Sequence, residues 1–191
     1  MQTRCRLIVL NGPPGSGKST VARRFVDAHP MTLNLDIDAL RRMVGGWKAD
    51  PHSAGLAARQ IALAVARTHL RAGHDVVVPQ YLGRVDYLDQ LAAVAGETDA
   101  DLHEFVLLDT KDVMVARFVA RSAAGREQAH LDAQELLDRV GGTRQLEAMY
   151  DRLLLVIGAR PTAQVVPATE GDIDATYAAL LALLGEAHLR R

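Results

Sequence analysis

The chain has 191 residues, 49% hydrophobic and 24% charged, with a formal net charge of −1. That composition is globular rather than disordered, and one domain of this length can bury a core. It lacks the basic excess of a dedicated nucleic-acid binder, holds no stretch near the roughly 20 apolar residues of a membrane span, and has one cysteine, Cys5, which excludes an intramolecular disulfide.

Cys5 opens the first predicted strand as a small apolar residue. Leu7-Ile8-Val9-Leu10 is a continuous apolar run, too short for the h-region of a signal peptide but typical of a strand buried on both faces of a parallel sheet. The turn cluster Asn11-Gly12-Pro13-Pro14-Gly15 follows it, and helical spacing then runs from Ser19 to Ala28, where His29-Pro30 stops it. Met31 to Leu35 reads as a second strand, and Ile37 to Val44 as a helix ended by Gly45-Gly46. Trp47 to Pro51 is a loop, and Ser53 is the expected cap of a long Ala-rich helix ending near Gly73. Asp75 to Pro79 is the clearest buried strand; Val85 to Ala95 is helical, with Gly96 closing it. A fourth strand spans Phe105 to Leu108, and Asp109 or Thr110 caps a helix to about Ser122. Ala123 to His130 reads as a mobile segment, with further helix from Asp132, interrupted at Gly141-Gly142 and resumed from Thr143 to Ile157. Gln164 to Val166 is a last strand, and Asp172 caps a final helix through Leu184. The leucines of Leu153 to Ile157 and Leu180 to Leu184 read as core stripes. Strands alternating with helices predict an α/β fold with a parallel sheet, helices on both faces, and ligands at the carboxyl ends of the strands.

Gly12-Pro13-Pro14-Gly15-Ser16-Gly17-Lys18-Ser19 matches G-x-x-x-x-G-K-[ST] at every fixed position, after a strand and before a helix. Glycines allow successive N–H groups to point at phosphates, and the helix adds its positive N-terminal end. Gly12 to Thr20 is therefore the expected nucleotide-binding set, with Lys18 on the β- and γ-phosphates and the Ser19 hydroxyl on Mg²⁺. The guanine-reading N-K-x-D signature is absent, which leaves ATP as the expected nucleotide.

Asp36 and Asp38 follow the second strand, which puts both carboxylates at the mouth of the sheet beside the phosphate loop, and they point the same way if the chain is extended. One can hold Mg²⁺ or its water and the other can accept a proton from an attacking hydroxyl; capping of the next helix is the structural alternative. Arg117 and Arg121 lie four apart on one helix, and Arg126 follows. Arg121 and Arg126 are expected to meet the transferring phosphoryl group from a closing lid, while Arg117 is adenine-side or structural. Trp47, the only tryptophan, either stacks on an acceptor or packs under its loop. Arg84 and Tyr87 can line the acceptor pocket. His52, His69 and His74 lack metal-ligand spacing.

Gly12 to Ser19, followed by Asp36-x-Asp38 and Leu40-Arg41-Arg42, resembles the small P-loop kinases: shikimate and gluconate kinases, chloramphenicol phosphotransferase, the zeta-toxin kinases and the kinase module of polynucleotide kinase. The resemblance implies a single three-layer P-loop kinase domain over residues 1–191, with a five-stranded parallel sheet and a small helical lid at about 117–133. It implies Asp38 as the acceptor-activating base, Asp36 on the metal side, and Arg41 or Arg42 against substrate. The loop Pro167 to Gly171 lies where relatives hold adenine. Many relatives carry an acidic residue where this chain has Gln80, followed by Tyr81; Gln80 is a poor direct Mg²⁺ ligand but can bond substrate or a metal-bound water.

The expectation is a cytoplasmic ATP- and Mg²⁺-dependent kinase, monomeric or homodimeric, acting on the hydroxyl of a small molecule such as an antibiotic, a sugar acid or a nucleoside. A nucleotide or polynucleotide kinase is the second reading, and a nucleotide-dependent switch or ATPase the third. The missing acidic Walker B motif argues against an oligomeric AAA-type motor.

Overall fold

The computed structural model describes residues 4–124 (backbone alone for 121–124), 132, 134–135, 137–138, 141–168 and 172–186. Five strands form one sheet: β1 (Arg6–Asn11), β2 (Leu33–Asn34), β3 (Val76–Pro79), β4 (Asp101–Leu108) and β5 (Gln164–Pro167). All pairings are parallel and the spatial order is β2-β3-β1-β4-β5. The β1 run explains itself: Leu7 and Val9 face one core, Ile8 and Leu10 the other, and all four are fully buried. Val76, Val77 and Val78 divide between the same two cores. A strand covered on both sides needs no polar alternation, hence the unbroken apolar runs.

The described helices are α1 (Lys18–Ala28), α2 (Ile37–Met43), α3 (Pro51–Arg71), α4 (Val85–Glu97), α5 (Lys111–Ala124), α6 (Thr143–Ala159) and α7 (Ile173–Leu183). On one face of the sheet lie Ile37 of α2, the alanines Ala58, Ala62 and Ala66 of α3, Leu91 of α4 and Val156 of α6. The other face carries Phe25 of α1 and Tyr177 and Leu180 of α7. Phe118 of α5 and Leu146 of α6 make a third, smaller cluster with Leu137. Among the described residues no helix is long and apolar enough to cross a membrane.

Several boundaries differ from the sequence reading. β2 is shorter than Met31 to Leu35, because Met31 sits at φ 64 in a turn. The cap of α3 is Asp50, whose carboxylate accepts the Ser53 N–H at 3.0 Å; Pro51 takes the first helical position and Ser53 lies inside the helix. Gly96 does not close α4, which continues to Glu97. β4 begins four residues early, at Asp101, since its outer half pairs with β1 from Arg6 onward. The stripe of α6 is narrower than expected: Leu153 and Val156 are buried, while Leu154 and Leu155 face outward. In α7 Leu180 is buried and Leu183 exposed. Of the anticipated helix from Asp132, residues 132, 134–135 and 137–138 are helical, while 125–131 and 133 of the expected lid lie outside the described residues.

Candidate active site

β1 ends in Asn11, and the phosphate loop leaves its carboxyl end. Gly12 has φ 151, and a Cβ there would stand 2.6 Å from the Leu107 carbonyl of β4. No other residue fits that passage between two strands. Gly17, at φ 89, occupies the cap position of α1 without a side-chain cap bond, and the first turn of α1 contains no acid. The helix start therefore keeps its N–H groups and positive field for an anion. Ser16 is buried, whereas Ser19 and Thr20 are exposed at the helix entrance. The Lys18 ammonium folds over the loop, donating to the carbonyls of Gly12 (2.8 Å) and Pro13 (2.9 Å). Gly15 packs against α5: a Cβ there would lie 3.4 Å from the Phe118 nitrogen and 3.7 Å from the Arg117 Cβ.

Arg117 is fastened in place. Its Nη2 pairs with Asp109 at 2.6 Å and its Nη1 donates to the Ala168 carbonyl at 2.6 Å, joining the ends of β4 and β5 beside the loop. Of the two roles anticipated for it, adenine-side or structural, these bonds describe the structural one. The Arg121 side chain and all of Arg126 lie outside the described residues.

The two aspartates stand at the edge of the sheet. β3 separates β2 from β1, so Asp36 is about two strand spacings, on the order of 10 Å, from the phosphate loop strand. It is not immediately beside the loop, as the sequence reading had it. Asp36 caps α2 with one oxygen, which accepts the Ala39 N–H at 3.0 Å. Asp38 sits in the first turn of α2 and pairs with Arg41 at 3.2 Å, its side chain 44% exposed. Arg41 in turn lies 5.4 Å from the Trp47 ring centroid, and Lys48 approaches the same ring at 5.4 Å. Trp47 is thus half-buried between two cations. Arg42 follows on α2, also half-buried.

Gln80 fills the gap between loop and aspartates. Its N–H donates to the Leu10 carbonyl at 3.1 Å, while its buried Oε1 has no hydrogen-bond partner among the described residues. Tyr81 turns to α6 and donates to the Met149 carbonyl at 2.9 Å; burial raises its hydroxyl pKa, so the proton stays on. Arg84 is 84% exposed and pairs with Asp86 at 3.4 Å. Tyr81, Arg84 and Tyr87 line an open cleft of about 470 Å³ between α3, α4 and α6.

The sequence reading missed three participants. Asn11 accepts the Leu82 N–H (2.8 Å) and the Gly12 N–H (2.8 Å) and donates to the Leu82 carbonyl (2.9 Å). It ties the cleft floor to the root of the phosphate loop, and a polar residue ending an apolar run was its only signal. Arg59 of α3 and Arg152 of α6 also line the cleft. They lie 93 positions apart on different helices, so nothing local announced them. Among the described residues no three His, Cys, Asp or Glu side chains cluster as a metal cage; Mg²⁺ sites completed by phosphates and water need only one or two protein ligands.

A curated protein of Mycobacterium tuberculosis, itself uncharacterised, is 31% identical over 133 residues, covering 64% of this chain and 27% of that protein. The chain thus spans about a quarter of the length of its mycobacterial relatives. An adenylate kinase of Synechococcus is 30% identical over 123 residues, 59% of this chain and 67% of that one. Among solved structures, a gluconokinase of Sinorhizobium meliloti shares the fold with TM-score 0.60 at 20% identity, covering 95% of both chains. The tunicamycin resistance protein of Deinococcus radiodurans does so with TM-score 0.61 at 19% identity, over 95% and 96%. A family model described as AAA domain matches residues 7–141, from the first apolar residue of β1 through the phosphate loop, both aspartates and the cleft loop. That match covers well over half of the molecule, and the chain belongs to this AAA domain family, on a P-loop kinase fold.

Proposed function

We propose that the protein is an ATP-dependent kinase that transfers the γ-phosphoryl group to a hydroxyl of a small molecule. The observation that carries this reading is the shared edge: phosphate loop, acidic pair and a cleft of small-molecule size follow the carboxyl ends of β1, β2 and β3. ATP is the donor substrate. The loop N–H groups from Gly12 to Thr20 take its phosphates, and Lys18 exchanges two carbonyl contacts for phosphate oxygens. The loop fits Mg²⁺ as well: Ser19, open at the start of α1, and the uncapped oxygen of Asp36 would hold it as hard oxygen ligands. The ion, when bound, neutralises charge on the phosphates.

Asp38 accepts the acceptor's hydroxyl proton as that oxygen bonds to the γ-phosphorus and ADP leaves. Arg41 orients this carboxylate. The Gln80 Oε1 is placed to take a hydrogen bond from the acceptor or from a metal-bound water. Arg121 and Arg126 complete the cation set from the lid. Natural products such as antibiotics fit the reading through the likeness to the tunicamycin resistance protein. The likeness to an adenylate kinase favours a second reading, a nucleotide acceptor.

The test is a transfer screen with γ-labelled ATP and Mg²⁺ against pools of nucleosides, nucleotides, sugar acids and hydroxylated antibiotics, read by product mass. A labelled product that vanishes with Asp38→Asn, while ATP binding persists, is the expected result. Release of free phosphate alone across all pools would replace the kinase reading with that of an ATPase or switch.

A further inference from the structure

The cleft carries a charge pattern that narrows the acceptor, granted the kinase reading above. Its described lining includes three arginines, Arg59, Arg84 and Arg152, and one carboxylate, Asp86. Arg84 already pairs with Asp86. Among the described residues neither Arg59 nor Arg152 has a carboxylate partner, although most of the other described arginines do: Arg4, Arg6, Arg24, Arg41, Arg67, Arg84, Arg117 and Arg160 are each ion-paired. Two uncompensated guanidinium groups thus enter one concave space from separate helices.

Each has a tyrosine neighbour. The Tyr87 hydroxyl donates to the Arg59 carbonyl at 3.1 Å, and the Arg59 guanidinium lies 5.9 Å from the Tyr87 ring centroid. Arg152 lies near enough to the Tyr81 hydroxyl to oppose the upward shift that burial gives it, and that hydroxyl is itself anchored on α6. Gln60, Gln90 and Gln145 line the same space. Amides offer both donor and acceptor, as hydroxyl groups require. Guanidinium forks suit the planar or tetrahedral oxygens of carboxylate, phosphate or sulfate. Asn11 fixes the cleft floor at Leu82 to the phosphate loop, so an acceptor anchored here has a defined position relative to the donor.

We propose that the acceptor is a hydroxylated anion, with its acidic group held between Arg59 and Arg152 and its hydroxyls read by the glutamines. Replacing the anion by a neutral polyol costs affinity.

The experiment is calorimetric titration of the full chain, saturated with a non-hydrolysable ATP analogue and Mg²⁺. The probes are matched pairs: D-gluconate with sorbitol, D-glucose 6-phosphate with glucose, adenosine 5′-monophosphate with adenosine. The expected result is at least one anion binding tenfold or more tightly than its neutral partner. The double variant Arg59→Gln/Arg152→Gln should lose tenfold or more of that affinity and keep its affinity for the ATP analogue. Which pair responds separates carboxylate from phosphate. Equal binding within every pair, no binding by any probe, or full affinity in the double variant overturns the proposal. A transfer assay on the same pairs keeps the two readings apart. An anion that binds through the arginines but is not phosphorylated sinks the kinase reading and leaves the anion site standing; phosphorylation of a neutral partner with equal KM does the reverse.

Discussion

Asn11 offers the most demanding test of how the site is assembled. It is 2% exposed and its carboxamide makes three hydrogen bonds, two to Leu82 and one to Gly12. Asn11→Ala strips the Leu82 N–H, the Leu82 carbonyl and the Gly12 N–H of their partners at a buried position. Each buried group left unsatisfied costs about 1–3 kcal/mol. A water entering the vacated space recovers part of the sum, so the expected loss is about 3–4 kcal/mol. For a domain of this length about 2–4 °C of Tm goes with each kcal/mol, giving a fall of roughly 6–16 °C in a thermal melt. Asn11→Asp keeps acceptors for both N–H groups but loses the donor to Leu82 and buries a charge, so it should also destabilise. Because Leu82 floors the cleft, acceptor KM should rise in both variants more than ATP KM does. A fall below about 3 °C in Asn11→Ala, with unchanged acceptor KM, would refute the idea that this side chain joins cleft and phosphate loop.

Acid should weaken the fold in two steps. Burial, aided by Arg6, holds His103 below its ordinary pKa. Burial alone would raise Glu186, but bonds from Arg6 and His29 outweigh it and hold the carboxyl below its usual range. Both folded values are depressed, so both contributions are complete above the unfolded values of about 6.5 and 4.3 and fade as pH falls through the folded ones. Melts from pH 8 to pH 3.5 should show a plateau, a decline below about pH 6.5 that His103→Gln flattens, and a steeper one near pH 4 that Glu186→Gln removes; a Tm that rises on acidification would contradict this. Gly12→Ala forces a Cβ against the Leu107 carbonyl at 2.6 Å. It should reduce ATP affinity by tenfold or more in calorimetry, and an unchanged affinity would show that β1 and β4 can part without disturbing the loop.

Local pattern determined a large part of this molecule. The runs Leu7 to Leu10 and Asp75 to Pro79 identify central strands because residues buried on both faces need no polar alternation. The phosphate loop is legible because its chemistry lies in consecutive residues: the turn, the lysine and the hydroxyl are all within Gly12 to Ser19. The N-cap of α7 at Asp172 is equally local. Helix ends were less so, since Asp50 and Ser53 are both competent caps and only the backbone path through Pro51 selects the first. Tertiary structure alone placed β3 between β2 and β1, setting Asp36 and Asp38 a strand away from the loop with Gln80 between. It alone brought Arg59 and Arg152 to one cleft, because a sheet with crossover helices makes neighbours of residues about 90 positions apart, and no sequence spacing encodes that distance.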